Sequence, residues 1–359
     1  MQASFSAVVR EKSLDAKLDR IIADTSCNEF ILADAKDPDM AFGLAAPGLK
    51  AGGDPKRGPY RTLSEFDDVI RELVSEGLVD IMLMSASTSE RLAINEGLFH
   101  DSLVTPAVRM NDTSDIWLAS GSGGYAEEPA LPFATTTIHQ ARSGHVSGRE
   151  PAGPHPVDLG LFSVTLNDNA RLDRAMLEAY RSFRIEAEQE GFRHFLEVFF
   201  PNALCKVPGT RLADQPADIS RFLADHVVRM LAGVPKAGRP IFLKIPYLGS
   251  EVTEMLAAYD PNVVVGILGG AAGTTHDAFW LVADAKAHGA RVALFGRKIN
   301  AAEHQPSFVR LLREVASSNV AADEAVKAYH SELAKRGLKP HRPLEEDLIR
   351  SDTANGACD

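Results

Sequence analysis

The sequence is poor in cysteine and has no surplus of basic residues. Its three cysteines, Cys27, Cys205 and Cys358, lie far apart in 359 residues and form no CxxC pair. This pattern excludes a disulfide scaffold, gives no zinc signature and fits a reducing compartment. The formal net charge is −11, whereas non-specific nucleic-acid binding requires a basic surface. We therefore expect no nucleic-acid partner.

Long apolar runs are also absent. No run approaches the roughly 20 residues that span a bilayer. Residues 1–22 carry scattered charges in place of the apolar segment of a secretory signal. The hydrophobic fraction of 45% and the charged fraction of 24% are those of an ordinary globular chain, which excludes a wholly disordered one. These features predict a cytoplasmic protein without a membrane partner.

The sequence does contain eight short runs rich in Val, Ile, Leu and Phe, each bounded by polar residues or glycine. Runs of this length and composition are typical of strands that are buried on both faces. They comprise residues 29–33, 79–84, 105–110, 157–164, 192–200, 240–245, 262–268 and 290–295.

Helical patterns separate most of these runs. Residues 62–77 open with a capping box, either Thr62 with Glu65 or Ser64 with Asp67, and end in glycine. Further helices are predicted at residues 170–191, from 218, from 250, at 274–289 and at 306–337. The alternation predicts an α/β protein with a parallel sheet. Eight strands favour a closed (β/α)8 TIM barrel, and an open doubly wound sheet is the alternative.

The pattern indicates a single domain with three parts. Residues 1–28 form an N-terminal helical segment, residues 29–336 the barrel, and residues 337–359 a polar C-terminal arm that is mobile or contacts another subunit. Residues 111–156 are rich in Gly, Ser, Pro and Thr and interrupt the alternation after the third strand. Because long loops in compact domains usually carry function, we interpret this segment as an insertion over the mouth of the barrel.

Lys244 is the most informative residue near the carboxyl ends of the strands, where parallel barrels have their active sites. It lies in the sixth run, in the sequence IFLKIPY. Burial disfavours the charged form of an amine, and a neutral amine is a nucleophile toward carbonyl groups. Lys244 is therefore a candidate for Schiff-base formation. The alternatives are a buried ion pair with Glu197 or Asp34, or a side chain that extends to solvent.

Glycines follow the seventh and eighth strands. Gly269 and Gly270 precede a helix that opens at residue 274, and Gly296 and Arg297 follow the eighth strand. In barrels these two loops often bind a phosphate, and free N–H groups at a helix N-terminus attract anions. Alternatively, the glycines serve only tight turns. The stretch also resembles an NADP fingerprint, but its G-x-x-G-G-x-x-G spacing differs from G-x-G-x-x-G, and we expect no cofactor.

Other polar residues stand at or near strand ends. Asp34 and Glu197 are candidates for acid–base catalysis, and Arg109 and Asn167 are candidates for substrate binding. Alternatively, Asp34, Glu197 and Asn167 together would supply oxygen ligands for Mg²⁺. The sequence has no HExxH motif, and we expect no metal site.

These features occur in an order that resembles the class I aldolase superfamily, which contains deoxyribose-phosphate aldolase, the archaeal-type fructose-bisphosphate aldolases and tagatose-bisphosphate aldolase. The resemblance extends over residues 29–315. It rests on Asp34 after strand one, Phe200-Pro201 at the end of strand five, Lys244 in strand six, the GG turn after strand seven and the FGR turn after strand eight.

The resemblance implies a carbon–carbon lyase of the class I aldolase type. Lys244 would form the Schiff base with a phosphorylated sugar or keto acid, and Asp34 would assist proton transfer. Four residues of the two turns would hold the substrate phosphate: Gly269, Gly270, Gly296 and Arg297. Relatives in this superfamily are commonly oligomeric, so we expect a homo-oligomer.

One residue departs from the family pattern. Several relatives have a tyrosine acid just before the strand-five proline, where this chain has Phe200, and a phenyl ring cannot donate a proton. Glu197 and Tyr247 are the candidate replacements. The departure and the insertion predict a divergent subfamily. The alternatives are a metal-dependent lyase or sugar-phosphate isomerase, with Glu197 as base or Mg²⁺ ligand, and a barrel that binds a phosphometabolite without catalysis.

Overall fold

The computed structural model describes residues 11–54, 58–118, 124–146, 155–204, 212, 219–270 and 273–351. Eight of its strands run parallel in one sheet. They are β1 (Ile31–Lys36), β2 (Ile81–Met84), β3 (Thr105–Arg109), β4 (Leu159–Thr165), β5 (Arg193–Phe199), β6 (Leu243–Lys244), β7 (Gly266–Gly269) and β8 (Val292–Phe295). Each overlaps one of the eight predicted runs, which confirms the strand pattern.

The sheet closes on itself. Its strand order is β6-β5-β4-β3-β2-β1-β8-β7, and a parallel bridge between Ile245 and Ile267 joins the two end strands. The Ile245 N–H donates to the Gly266 carbonyl at 3.0 Å. A Cβ on Gly266 would lie 2.2 Å from the Leu243 carbonyl oxygen, so glycine allows this close approach. The fold is therefore a (β/α)8 TIM barrel, and the alternative of an open sheet is wrong.

Longer helices precede, separate and follow the strands. They are α1 (Ser13–Ala23), α2 (Leu63–Glu76), α3 (Ala170–Gln189), α4 (Ile219–Ala232), α5 (Ser250–Tyr259), α6 (Thr275–Ala287), α7 (Gln305–Ala316) and α8 (Ala322–Lys335). Shorter helical turns span Asp39–Phe42, Gly43–Ala45, Ala86–Ser89, Glu90–Asn95, Ser114–Leu118, Gly124–Ala126, Ile138–Ser143, Lys236–Gly238, Arg297–Asn300 and Leu344–Asp347. None of the described helices combines the length and the apolar character needed to cross a bilayer.

One predicted helix start is confirmed by the structure, and one predicted helix is divided into two. Of the two predicted capping boxes, the one formed by Thr62 and Glu65 is present at the start of α2. The single helix predicted for residues 306–337 is instead two helices. Ser318 lies between them with a φ of +62°, and a left-handed residue of this kind ends a helix.

The sequence pattern missed two small ladders. After β1, Leu49–Asp54 pairs antiparallel with Gly58–Tyr60. Within the predicted insertion, Asp112–Thr113 pairs antiparallel with Pro132–Phe133. The insertion is therefore partly built from regular structure and returns to the end of β3.

Two layers of apolar side chains hold the barrel together. Helix α1 closes the amino end of the barrel, where Leu14, Leu18 and Ile21 pack with inward-facing residues of the strands. A second, larger cluster lies between the strands and the surrounding helices. Because side chains alternate between the two faces of a strand, these two clusters show which residues point into the barrel.

The C-terminal arm is docked on the barrel as far as the structure describes it, to residue 351. The Arg342 Nη1 donates to the Gly273 carbonyl at 2.9 Å, and the Asp347 carboxylate accepts from the Thr275 N–H at 2.7 Å. The Arg350 guanidinium stacks on the Trp280 ring at 3.4 Å from its centroid. The arm therefore packs against the turn between β7 and α6, and residues 352–359 lie outside the described residues.

The buried imidazole of His194 predicts a pH dependence of stability. It is 3% exposed and bonded to the Tyr180 hydroxyl at 2.9 Å. Burial, with the Arg184 guanidinium, lowers the pKa of His194 to about 3. The unfolded chain, with a histidine pKa of about 6.5, then binds more protons. The stability that this group contributes is fully present above about pH 6.5. It is lost as the pH falls from about 6.5 towards about 3, by at most about 1.4 kcal/mol per pH unit.

We expect His194→Gln to lower the free energy of unfolding at pH 7.5, because it disturbs a packed, hydrogen-bonded site. The difference in free energy of unfolding between the parent and the variant should be about 2 kcal/mol smaller at pH 5 than at pH 7.5. The reason is that only the parent has an imidazole that takes up a proton on unfolding at pH 5. Urea unfolding at the two pH values measures this. A difference that is the same at both values would contradict the assignment.

Candidate active site

Four neighbouring strands each direct one polar side chain into the barrel near their carboxyl ends. Each of these residues lies two positions after an apolar residue of the interior cluster, and alternation along the strand places both on the same face. The preceding apolar residues are Ala107, Leu161, Phe195 and Phe242, and the polar ones are Arg109, Ser163, Glu197 and Lys244.

The ammonium group of Lys244 contacts the carboxylate of Glu197 through Oε1. The two residues are register partners on β6 and β5, and their side chains are 8% and 1% exposed. The interaction therefore lies in a nearly dry interior, where an unpaired charge is very unfavourable. The ion pair with Glu197 that the sequence left open as an alternative is present, and it lies where a barrel carries its chemistry.

A second set of contacts fixes the Glu197 carboxylate. Its Oε2 accepts from the Ser163 hydroxyl at 2.7 Å and from the Arg109 Nη2 at 3.3 Å. The Arg109 Nη1 donates to the Ser163 Oγ at 2.8 Å, and its Nε donates to the Asp37 carboxylate. Both carboxylate oxygens of Glu197 are thus held, and the charges of two acids and two bases alternate across the site.

Asp34, the expected proton-transfer residue, lies outside this network. It is a register partner of Met82 and Phe295, which face the helices, so it shares that outer face. Its carboxylate pairs with Lys36 at 2.9 Å, both side chains are fully buried, and Lys36 also donates to the Gln305 side chain. Burial raises the pKa of Asp34. Asp37, three residues later, is the β1-side acid that reaches the interior.

Asn167 is occupied by the insertion. Its Oδ1 accepts from the Ala130 N–H at 2.9 Å, and its Nδ2 donates to the Ala130 carbonyl at 3.1 Å. The alternative Mg²⁺ ligand set of Asp34, Glu197 and Asn167 is therefore not assembled. Within the described ranges, no three His, Cys, Asp or Glu side chains are grouped so that they could hold a metal ion.

The glycines of the two predicted phosphate turns have packing reasons of their own. A Cβ on Gly269 would lie 2.0 Å from the Phe295 ring, and one on Gly296 would lie 3.1 Å from the Ala35 carbonyl oxygen. A Cβ on Gly270 would meet nothing within 4 Å. Close packing against Phe295 and Ala35 thus accounts for Gly269 and Gly296, and the role of the glycines toward phosphate stays a prediction.

The N-terminus of α6 is not free to bind an anion. The Thr274 N–H donates to the Asp277 carboxylate and the Thr275 N–H to the Asp347 carboxylate, each at 2.7 Å. The expectation of free N–H groups is therefore wrong for Thr274 and Thr275, because the capping box and the C-terminal arm occupy them.

Arg297 is a cation without a fixed partner. Its guanidinium makes no hydrogen bond or ion pair with any residue that the structure describes, and the residue is exposed. Partial burial lowers the pKa of Arg297, and the nearby Tyr125 and Glu197 raise it. The guanidinium therefore lies within electrostatic reach of the Lys244–Glu197 pair and is free to bind an anion.

The sequence interpretation missed Tyr125, which the insertion brings to the same region. The Asn202 Nδ2, beyond β5, donates to the Tyr125 carbonyl oxygen and holds this turn. Burial and the carboxylates of Asp115 and Glu197 raise the pKa of Tyr125 to about 12, which Arg297 opposes. The phenol thus stays protonated at neutral pH. The only signal in the sequence was a lone tyrosine in a glycine-rich loop.

The two residues that the sequence offered as replacements for the missing tyrosine lie in different places. Glu197 is in the network described above. Tyr247 is outside the barrel interior, because its hydroxyl donates to the Asp284 carboxylate of α6 at 2.6 Å. Of the two tyrosines Tyr125 and Tyr247, Tyr125 is therefore the one on the insertion side of the barrel mouth, where Asn202 beyond β5 holds its backbone.

No protein-family model matches the sequence, and no curated protein sequence is detectably similar to it. Solved structures are similar to it in fold. An archaeal fructose 1,6-bisphosphate aldolase is 14% identical, with 84% of this chain and 99% of that chain covered and a TM-score of 0.56. A fructose-bisphosphate aldolase from Slackia heliotrinireducens DSM 20476 is 16% identical, with 91% and 95% covered and a TM-score of 0.58. Cgl0159 from Corynebacterium glutamicum is 17% identical, with 86% and 94% covered and a TM-score of 0.53.

At these identities the likeness concerns the fold, and it extends over most of this chain and nearly all of each neighbour. One of the similar structures is of a Schiff base forming fructose-1,6-bisphosphate aldolase. The fold that the sequence resemblance implied is thus confirmed. The chain therefore has a (β/α)8 barrel that is similar to those of the solved fructose-bisphosphate aldolases.

Proposed function

We propose that this protein is a lyase that makes or breaks a carbon–carbon bond of a phosphorylated carbonyl compound through a Schiff base on Lys244. One observation carries the proposal. A lysine at the carboxyl end of β6 faces the barrel interior and contacts a carboxylate whose other oxygen is held by Ser163 and Arg109.

The Lys244–Glu197 contact places a proton acceptor beside the ammonium group. A fixed carboxylate accepts a proton from the ammonium and leaves a neutral amine, which adds to the substrate carbonyl and forms a carbinolamine. Loss of water from that species gives the Schiff base. A similar structure, an archaeal fructose-1,6-bisphosphate aldolase, was solved with its catalytic lysine covalently bound to the carbinolamine intermediate of the substrate.

The protonated Schiff base then serves as the electron sink. When the carbon–carbon bond breaks, its electron pair becomes the carbon–carbon double bond of an enamine, the iminium π pair moves to nitrogen, and the hydroxyl proton of the departing fragment goes to a base. Protonation of the enamine carbon and hydrolysis of the resulting Schiff base by water release the second product and free Lys244. We assign the proton donor and acceptor role to Tyr125. Its phenol is protonated at neutral pH, so it donates the proton that lets the carbinolamine hydroxyl leave as water, and the resulting phenolate accepts the substrate proton.

The free guanidinium of Arg297 supports a phosphorylated substrate. It would hold the phosphate together with backbone groups of the turns that contain Gly269, Gly270 and Gly296. A charge-assisted contact of this kind contributes roughly 1.5–3 kcal/mol to binding.

A barrel that binds a phosphometabolite without catalysis is a second candidate function. The observation that favours it is Phe200, which occupies the place where several aldolases of the resembling superfamily have a tyrosine acid. This alternative requires the same phosphate site and no covalent intermediate.

Borohydride reduction in the presence of dihydroxyacetone phosphate should attach the reduced adduct to Lys244, because hydride reduces the Schiff base to a stable amine. Peptide mass spectrometry locates the adduct. Lys244→Arg should abolish it while keeping a positive charge beside Glu197. Lys50→Ala, which removes an exposed lysine, is the control and should leave it unchanged. Full activity in Lys244→Arg, or an adduct only at other lysines, would contradict the mechanism.

Tyr125→Phe should lower kcat by about 10²- to 10⁴-fold, because it removes the proton donor. KM should change little, and prolonged incubation with borohydride should still label Lys244, since the nucleophile is intact. Steady-state kinetics measure the separation of kcat from KM. Tyr247→Phe is the matched control and should keep kcat. Equal losses in both variants would remove the role of Tyr125.

Arg297→Ala should weaken substrate binding by about ten- to a hundredfold, since each 1.4 kcal/mol is tenfold in affinity. Inorganic phosphate should compete in the parent protein and compete less well in the variant. Arg342→Ala removes a guanidinium that contacts the same turn from outside and should keep the affinity. An isotherm for Arg297→Ala that is unchanged within about twofold would show that this residue does not bind phosphate.

A further inference from the structure

A polar cavity of about 350 Å³ adjoins the Lys244 network. Arg109 belongs to both, since it contacts Glu197 and also lines the cavity. The other walls come from the end of β1, the serine-rich turn after β2 and the insertion. They present carboxylate, hydroxyl and amide groups: Asp39, Ser85, Ser87, Glu90, Thr135 and Gln140.

The carboxylates of this cavity have acceptor capacity that the protein does not fill. The Asp39 Oδ2 accepts from the Ser85 hydroxyl at 2.6 Å, but its Oδ1 is buried and has no hydrogen-bond partner. Among the described residues, none makes a hydrogen bond or an ion pair with the Glu90 carboxylate. Glu90 is exposed, so its carboxylate is hydrated when no ligand is bound. Buried acceptors are normally paired, so the Asp39 Oδ1 favours a ligand that brings a hydrogen-bond donor.

The charge of the residues that line the cavity disfavours a phosphate group as its ligand. Asp39 and Glu90 are acidic, and Arg109 is the one basic side chain among the lining residues. The Arg109 guanidinium is already bound to Asp37 and Glu197. A phosphate dianion entering this cavity would meet two carboxylates and no free cation, and like charges repel at short range. The free cation, Arg297, does not line this cavity.

We propose that this cavity binds the uncharged, polyhydroxylated end of the substrate, so that the substrate is a monophosphorylated polyhydroxy ketone and not a bisphosphate. The inference rests on the proposed function, in which the reacting carbonyl is at Lys244. The hydroxyl groups of the distal end donate to Asp39 and Glu90 and exchange hydrogen bonds with Ser87 and Thr135. The phosphate lies at the other end of the molecule.

Two ketoses that differ only in the distal phosphate test this inference. Fructose 1-phosphate and fructose 1,6-bisphosphate are each incubated with the full chain, and kcat/KM for cleavage and borohydride labelling at Lys244 are measured for both. We expect kcat/KM for the monophosphate to exceed that for the bisphosphate by at least about tenfold.

Two variants connect the preference to the cavity. Asp39→Asn and Glu90→Gln each keep the shape and remove one negative charge, so each should lower the monophosphate-to-bisphosphate ratio by about three- to tenfold. Asp68→Asn removes an exposed carboxylate of α2 and should leave the ratio unchanged. Thermal unfolding confirms that each variant is folded, and the two cavity variants keep the test valid if one of them is not.

The outcomes separate this inference from the proposed function. Labelling of Lys244 by both ketoses with a kcat/KM for the bisphosphate equal to or above that for the monophosphate would overturn the inference alone. A preference for the monophosphate that persists unchanged in both cavity variants would also overturn it. Absence of labelling at Lys244 with either ketose and with dihydroxyacetone phosphate would overturn the proposed function, and the inference would fall with it.

Discussion

The contact between Lys244 and Glu197 is the interaction on which the site depends. A lysine in a closed barrel interior is tolerated only if a fixed opposite charge compensates for lost hydration. Glu197 supplies that charge, and it is itself held by Ser163 and Arg109. Asp37 completes the series by binding Arg109. The same arrangement that makes the lysine compatible with folding gives its amine a nearby proton acceptor.

The barrel makes this contact possible by bringing neighbouring strands into register. Lys244 and Glu197 are partners on β6 and β5, and closure of the sheet between Ile245 and Ile267 fixes β6 on its other side. The insertion and the C-terminal arm then add different groups to the two sides of the barrel mouth. The insertion brings Tyr125 and one wall of the polar cavity, whereas the arm occupies N–H groups at the start of α6. Arg297, which pairs with none of the described residues, is then the side chain that can bind an anion.

Much of the fold and part of the site follow from the sequence. Eight apolar runs marked all eight barrel strands, and Lys244, Glu197 and Arg109 were found because they are charged residues in or at the ends of those runs. Asp34 was misplaced because the first strand continues to Lys36, and a side chain within a strand faces inward or outward according to its position, which the run did not reveal. Tyr125 and Asp347 come from segments without periodicity, so only the folded chain brings them to the mouth.

The most direct test of the account is a crystal structure of the protein after borohydride reduction with fructose 1-phosphate. We expect continuous density from the Lys244 Nζ to the former carbonyl carbon, the phosphate at Arg297, and the distal hydroxyl groups beside Asp39. Reduced ligand attached to another lysine, or ligand bound in the barrel with Lys244 unmodified and still paired with Glu197, would contradict it.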